Sequence, residues 1–258
     1  YSQLNNELLW VSSMPCKLDD DEQIPIAHFG RSNIGQMKSI YRTGLGHRYG
    51  RSMQTIAGIH YNFSISDALW EHLRASSQSP LSLQDYKTSG YFGLIRNFRR
   101  LSWLLHYLLG ATPAVCRSFV QHKPHNLAPL EGDPESLYAP YATSLRMGGL
   151  GYQSDAQSTL AINYNDMHSY ITNLRSALDM PYAPYQAIGL RDRQQNYRQL
   201  NTHLLQIENE FYSAIRPKRT TESGEPPLHA LQDRGIEYVE VRCLDLNPFA
   251  VHGIDLPS

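Results

Sequence analysis

The chain has 258 residues, 41% of them hydrophobic and 10% aromatic, enough to bury the core of one large domain or two small ones. Lys and Arg number 23 against 24 Asp and Glu, a formal charge of -1, which argues against nucleic acid or an anionic membrane surface as the main partner. Cys16, Cys116 and Cys243 show no CxxC spacing and fit a reducing cytoplasm better than secretion, and no run approaches the roughly 20 apolar residues that cross a bilayer.

In chain order, a short apolar segment (Leu8 to Val11) enters Ser13-Met14-Pro15-Cys16, and Asp19 to Glu22 reads as a solvated loop. Residues 36–49 predict a helix with Met37, Ile40, Tyr41 and Leu45 on one side, weakened at its end by Gly44 and Gly46. Gly58 to Ser64 alternates as a strand, with Ile59, Tyr61 and Phe63 on an apolar face and His60, Asn62 and Ser64 on a polar one. The clearest helix covers about 90–109, where Tyr91, Leu94, Ile95, Phe98, Leu101, Leu105 and Leu108 recur at three- and four-residue steps and Arg96, Asn97, Arg99 and Arg100 face solvent. Four prolines mark residues 121–143 as loop, with His122 and His125 as surface groups. A second helix is capped by Asn165 or Asp166, carries Met167, Tyr170, Ile171, Leu174 and Leu178 as its stripe, and stops at Pro181. Residues 204–212 predict another strand, with Gln206, Glu208, Glu210 and Tyr212 on its polar side, followed by a basic turn, Ile215-Arg216-Pro217-Lys218-Arg219. Residues 220–229 read as a loop. Glu237 to Cys243 predicts the last strand, with Tyr238, Glu240 and Arg242 on one side and Val239, Val241 and Cys243 on the other.

Strands and helices do not alternate strictly, and there is no Gly-rich phosphate loop. The expected fold class is therefore α+β with an antiparallel sheet. Phosphates would then be held by Arg and Lys side chains and a divalent cation. A carboxylate and a guanidinium two residues apart on one sheet face serve a metal and a phosphate together. The plain alternative is a surface strand with a Glu/Arg pair, and His60 alone is more often a satisfied structural histidine than a ligand. The three polar faces taken together favour ion coordination and substrate binding.

Eight blocks carry a resemblance: Ser13-Met14-Pro15-Cys16, Ile40-Tyr41-Arg42, Met53 to Ser64, Tyr141 to Arg146, Leu150-Gly151-Tyr152, Gln206 to Glu210 with Tyr212, Ile215 to Arg219, and Glu237 to Arg242. In this order they resemble glutamate–cysteine ligase of the proteobacterial type over essentially the whole chain. The resemblance implies a curved antiparallel sheet with flanking helices, similar to the glutamine synthetase superfamily. It implies ATP-dependent joining of the glutamate γ-carboxylate to the cysteine amine, by way of a γ-glutamyl phosphate, as the first step of glutathione synthesis in the cytoplasm. By position, His60 and Glu240 match ligands of Mg²⁺, and Arg242 matches a contact to the transferred phosphoryl group. Tyr41, Arg146, Tyr152 and Tyr212 match residues around cysteine, while Gln54 and Ile56 match the glutamate side. Arg216, Lys218 and Arg219 match a basic segment near the nucleotide phosphates. The implied partners are glutamate, cysteine and ATP.

The sequence starts at Tyr1 without an initiator Met and stops at Ser258. Against the family it reads as a single incomplete catalytic domain, residues 1–258, lacking a stretch with further acidic metal ligands before it and a helical region after it. Two function classes follow: the central portion of the ligase, or a non-catalytic fragment that retains partial substrate binding. A metal-dependent hydrolase finds no support, because neither GxSxG nor HExxH occurs.

Overall fold

The structure is a computed structural model and describes residues 9–121, 123–151 and 155–254. In chain order its elements are α1 (Asn33–Tyr49), β1 (Ile59–Phe63), α2 (Asp67–Ser76), α3 (Leu83–Leu109), β2 (Ala114–Cys116), α4 (Arg117–Val120), β3 (Ala128–Leu130), β4 (Asp133–Tyr138), α5 (Asp155–Ser158), α6 (Met167–Asp179), α7 (Ala183–Ile188), β5 (Ile215–Lys218), α8 (Pro227–Arg234) and β6 (Tyr238–Leu244). The architecture is α+β with antiparallel sheets, as the sequence predicts.

Local chemistry sets the helix starts. Ser32 Oγ accepts from Gly35 N at 3.1 Å, Ser82 Oγ from Asp85 N at 3.1 Å, and Asp166 Oδ1 from Ser169 N at 2.8 Å. Each such cap contributes about 1 kcal/mol. Capping by Ser82 starts α3 seven residues before the apolar stripe becomes evident. The predicted stripe of α6 is buried at Tyr170, Ile171 and Leu174.

The larger sheet has the order β1-β6-β5. Its β6 alternates as expected: Val239, Val241 and Cys243 are buried, whereas Tyr238, Glu240 and Arg242 are half-buried on the other face. The buried face packs with Tyr91, Phe92 and Ile95 of α3, Ile171 and Leu174 of α6, and Leu228 and Leu231 of α8 in one core cluster. A smaller sheet, β2-β4-β3, lies over a second cluster formed by Met14, Ile56, Val115, Phe119 and Leu137.

Several expectations are overturned. Residues 204–212 form no strand. Leu204, Leu205 and Gln206 are buried in succession, and a 3-10 turn covers Glu208–Glu210. Side chains satisfy the backbone there: Gln206 Oε1 accepts from Leu200 N at 3.1 Å, and Glu210 Oε2 accepts from Gln206 N at 2.7 Å. Such local bonds compete with a sheet ladder. The basic "turn" is instead β5, an edge strand on which Pro217 pairs opposite Val239; an edge position tolerates a residue that lacks an N–H. Residues 121–143 contain the β3–β4 hairpin, with Pro129 again on an edge strand. Helices α2 and α8 have no counterpart in the sequence reading, and α8 takes over the end of the expected 220–229 loop.

Two apolar faces also differ. Tyr61 and Phe63 are 56% and 38% exposed, because α3 packs on β5 and β6 while β1 lies at the far edge of that sheet. On α1 the buried residues are Gly35 and Gly44, and Met37 is exposed. A Cβ on Gly44 would stand 3.0 Å from the Gln199 Cβ, so this glycine allows a close approach instead of ending the helix.

Candidate functional site

The polar face of the larger sheet is set by register. Glu240 of β6 pairs with Asn62 of β1 on one side and with Arg216 of β5 on the other, and Tyr238 pairs with Lys218. Residues that alternate outward on three strands therefore meet on one face. Between Ile59 and Tyr61 the β1–β6 register shifts by one residue, so that Tyr61 faces Val241 while Ile59 faces Leu244. A bulge of this kind re-aims side chains. Here it brings His60 beside both Glu240 and Arg242: His60 Nδ1 is 3.6 Å from Glu240 Oε1, and Arg242 Nε donates to His60 Nε2 at 3.4 Å. Glu240 Oε2 is 3.9 Å from Arg242 Nε.

Partial burial, and then the Arg242 charge, hold the His60 imidazole below its ordinary value of 6.5, against the opposing pull of Glu240. A neutral imidazole beside a carboxylate is a donor pair suited to a divalent cation. Among the described residues no group of three or more His, Cys, Asp or Glu side chains is gathered in a metal-binding arrangement. By themselves His60 and Glu240 could offer two of the roughly six positions that Mg²⁺ takes.

Two cavities flank this face. The first, about 430 Å³, is lined by Tyr41 and Arg42 of α1, Gln54 of the 3-10 turn that follows it, Glu210 and Tyr212 of the 206–213 loop, and Arg216 and Arg242. The second, about 330 Å³, is lined by Glu208, Arg216, Lys218, Arg219, Thr220 and Tyr238 over an apolar floor of Leu174, Leu228 and Leu231. Arg216 and Asn209 line both. The Arg216 guanidinium is anchored through Nη2 to the carbonyls of Asn209 and Phe211. Its Nε, like Arg242 Nη1, is buried with no hydrogen-bond partner among the described residues. Burial, with Arg242 next, pushes the Arg216 pKa down to about 10, so it stays charged at neutral pH. Two charged donors left unpaired are costly unless an anionic group meets them.

The first cavity carries Lys38, Arg42, Arg216 and Arg242 against Glu210 as its acid, a balance that suits carboxylate or phosphate ligands. Its phenols are neutral: burial raises both Tyr41 and Tyr212, and Glu210 raises Tyr41 further. Glu210 itself is tied to Arg48, with both side chains almost wholly buried. Tyr49 also donates to Glu210 Oε1 at 3.3 Å. Burial raises the Glu210 carboxyl above its usual range despite the Arg48 charge. The Arg48 guanidinium sits 5.2–5.9 Å from the rings of Tyr41, Tyr49 and Tyr185. Sequence pattern flagged Glu210 only as polar and missed Arg48 altogether; their pairing across 162 positions has no local signal.

The other predicted site residues fall as follows. Tyr41, Gln54, Tyr212, Arg216 and Arg242 share the first cavity, and Lys218 and Arg219 line the second. Gln54 Nε2 is engaged by the Arg42 carbonyl at 3.0 Å. Arg219 is turned to the Arg234 carbonyl at 2.9 Å and to Glu237 at 3.8 Å. Ile56 is buried in the second apolar cluster and lines neither cavity. Tyr152 lies outside the described residues. Arg146 is buried away from both cavities: Nε donates to the Ala57 carbonyl at 2.8 Å and Nη2 to the Arg242 carbonyl at 2.7 Å. It clamps the start of β1 to the bulge in β6. A Cβ on Gly58 would meet Arg146 Nη2 at 1.9 Å.

The sequence model of the glutamate-cysteine ligase family matches residues 1–258. A glutamate–cysteine ligase of Saccharophagus degradans is 59% identical over 257 residues, covering 100% of this chain and 48% of that protein. One from Pseudomonas putida strain W619 is 58% identical, covering 99% and 48%. Among solved structures, the glutamate–cysteine ligase of Francisella tularensis in complex with AMP superposes with a TM-score of 0.86 at 46% identity, over 95% of this chain and 47% of that one. A bifunctional glutathione synthetase from Pasteurella multocida gives a TM-score of 0.66 at 26% identity, covering 95% and 26%. The chain spans about half the length of the curated relatives it matches. A match that runs over every residue, joined to a sheet face that gathers His60, Glu240, Arg216 and Arg242, makes this chain a member of the glutamate–cysteine ligase family.

Proposed function

We propose that this chain carries the central catalytic part of an ATP-dependent ligase that joins the γ-carboxylate of glutamate to the amine of cysteine. The observation that carries the reading is the wall made by Arg216, which lines both cavities, and Arg242, which lines the first, where buried guanidinium donors have no partner among the described residues, beside the His60/Glu240 pair. A transferring phosphoryl group is the anion such a wall fits. Preorganised donors of this kind lower the barrier by about 3–4 kcal/mol each.

The nucleotide occupies the second cavity, with Lys218 and Arg219 toward its phosphates and Leu228 and Leu231 beneath it. The amino acids occupy the first. The γ-carboxylate attacks the terminal phosphorus, and Arg216 and Arg242 take up the charge on its equatorial oxygens. The resulting γ-glutamyl phosphate is attacked at its carbonyl carbon by the cysteine amine, and phosphate leaves. Tyr41 and Tyr212, uncharged phenols, grip the small substrates, while Gln54 orients glutamate. Arg146 acts on the site from behind, by fixing the bulge that places Arg242. His60 and Glu240 would hold Mg²⁺, which neutralises phosphate oxygens when bound. The cytoplasm is the compartment that suits this activity; among the described residues no helix is long and apolar enough to cross a membrane.

The test is phosphate release from ATP by the protein at the full length of its relatives. The expected result is release that requires glutamate, cysteine and magnesium together; release that ignores cysteine overturns the reading. The 258-residue chain alone, with two metal donors at the site, is expected to show no turnover. If it does turn over, donors beyond His60 and Glu240 are dispensable.

A further inference from the structure

We propose that the outer face of α3, from Leu94 to Leu108, is a docking surface for an amphipathic helix, supplied by the half of the polypeptide that the curated relatives possess beyond the length of this chain. The apolar stripe of α3 outruns the core that meets it. Tyr91, Phe92 and Ile95 are sealed in the main cluster, yet Leu101 and Leu108 of the same stripe are 59% and 63% exposed. Trp103, Leu104 and Tyr107 lie exposed beside them. Single exposed leucines are ordinary on a protein surface, but a contiguous apolar face marks an interface.

The shape of the face names a helix as its occupant. A groove of about 530 Å³ runs along it, lined by α3 residues alone, among them Leu94, Phe98, Leu101 and Leu105. Leu94, Leu101 and Leu108 recur at seven-residue steps, and Leu104 falls between the last two, the three-and-four spacing of a helix–helix seam. Ridges so spaced accept the side chains of a second helix lying close to parallel or antiparallel. Leu94 to Leu108 presents roughly 21 Å of axis, about four turns. An extended strand would find no partner here, because the backbone inside a helix is already hydrogen-bonded to itself.

Length decides where that helix comes from. The chain covers 48% of the Saccharophagus degradans protein, and the Francisella tularensis structure superposes on it over 47% of its own chain. More than half of a polypeptide of that size is thus left to cover surface that stands open here. A second copy of the chain fits less well. Arg100 flanks the middle of the face, exposed and with no hydrogen bond or ion pair among the described residues. Two-fold pairing of this face would set Arg100 near its own counterpart, like charge against like. The docked helix therefore carries an Asp or Glu at the rim of its apolar stripe, opposite Arg100.

The experiment places the photoreactive aromatic p-benzoylphenylalanine at Tyr107 in the protein at the full length of its relatives. The expected cross-link joins Tyr107 to a peptide of the same molecule outside residues 1–258, with apolar positions at three- and four-residue steps and a carboxylate beside them. A cross-link between two copies, recognised in a mixture of isotopically light and heavy protein, overturns the proposal, and so does one to a peptide within residues 1–258. Leu104→Cys gives a second measurement in the same protein. Maleimide labelling at that position is expected to be about 10²-fold slower in the native state than in denaturant, whatever the protein concentration. Equal rates in the two states would leave the face uncovered and overturn the proposal, as would protection that is lost on dilution.

Discussion

Arg146 and Arg242 are joined by a single hydrogen bond of 2.7 Å, from the Arg146 guanidinium to the Arg242 carbonyl, at the bulge where β6 bends past β1. The second arm of the same guanidinium reaches the Ala57 carbonyl, and Asp245 lies 3.9 Å from its Nη1. Arg146→Ala would leave two carbonyls and a buried carboxylate without their cation. The expected cost is about 3–5 kcal/mol, seen as a lower urea midpoint at an unchanged slope. A variant of normal stability that only weakens amino-acid binding would instead put Arg146 in direct contact with substrate.

Gly58 lies against that clamp. A methyl group there would meet a guanidinium pinned on both arms, so Gly58→Ala is expected to destabilise by about 1–3 kcal/mol. In the Arg146→Ala background the same change should cost much less. Equal losses in both backgrounds, measured by chemical denaturation, would show that the two residues do not press on each other.

Glu240→Gln keeps the size of the side chain and removes its charge. In the full-length enzyme, phosphate release is expected to need several-fold more magnesium and to slow by about 10²–10³-fold, comparable to losing one preorganised charge contact. A magnesium titration checks it, and an unchanged curve would take Glu240 out of the metal site.

Arg48 and Glu210 are a buried pair beneath the first cavity. Arg48→Met strands a carboxylate that burial already pushes toward its neutral form, and the expected loss is about 3–5 kcal/mol. Pairing it with Glu210→Leu should recover much of that loss, because neither charge then remains buried alone. A double-mutant cycle in denaturant measures the coupling, and strict additivity would mean that the pair contributes nothing jointly.

His60 offers a pH test with a defined sign. Its folded pKa lies below 6.5, because burial and Arg242, together with Arg146 and Arg216, outweigh the attraction of Glu240. Its contribution to stability is therefore complete above 6.5 and is lost as pH falls through the folded value. NMR titration of the His60 ring should give a midpoint below 6.5, and Arg242→Met should move it upward. A midpoint that stays put would remove Arg242 from the causes.

The site was partly legible in the sequence. Alternation around Glu240 marks its polar face because a two-residue period survives in a strand whose other face is covered; alternation around His60 marks its face too, although Tyr61 and Phe63 opposite are exposed. Arg216 stands out with its basic neighbours but reads as part of a turn, since Pro217 discourages a strand reading unless the strand lies at an edge. The 204–212 segment failed in the opposite way. Its alternation is genuine in composition, yet the side chains of Gln206 and Glu210 bond the nearby backbone and fold it into a loop.

By itself, the sequence determined where the helix capped by Asp166 begins, which face of β6 is wet, and to which family the chain is similar. Those features rest on contacts between residues a few positions apart, or on blocks that need no coordinates to compare. Only the tertiary structure decided that a bulge sets His60 against Arg242, that Arg146 braces the sheet from outside the cavities, and that Arg48 meets Glu210. Each of these joins side chains tens to hundreds of positions apart. Such pairings leave no period in the chain, because their partners are chosen by how the sheets and helices pack.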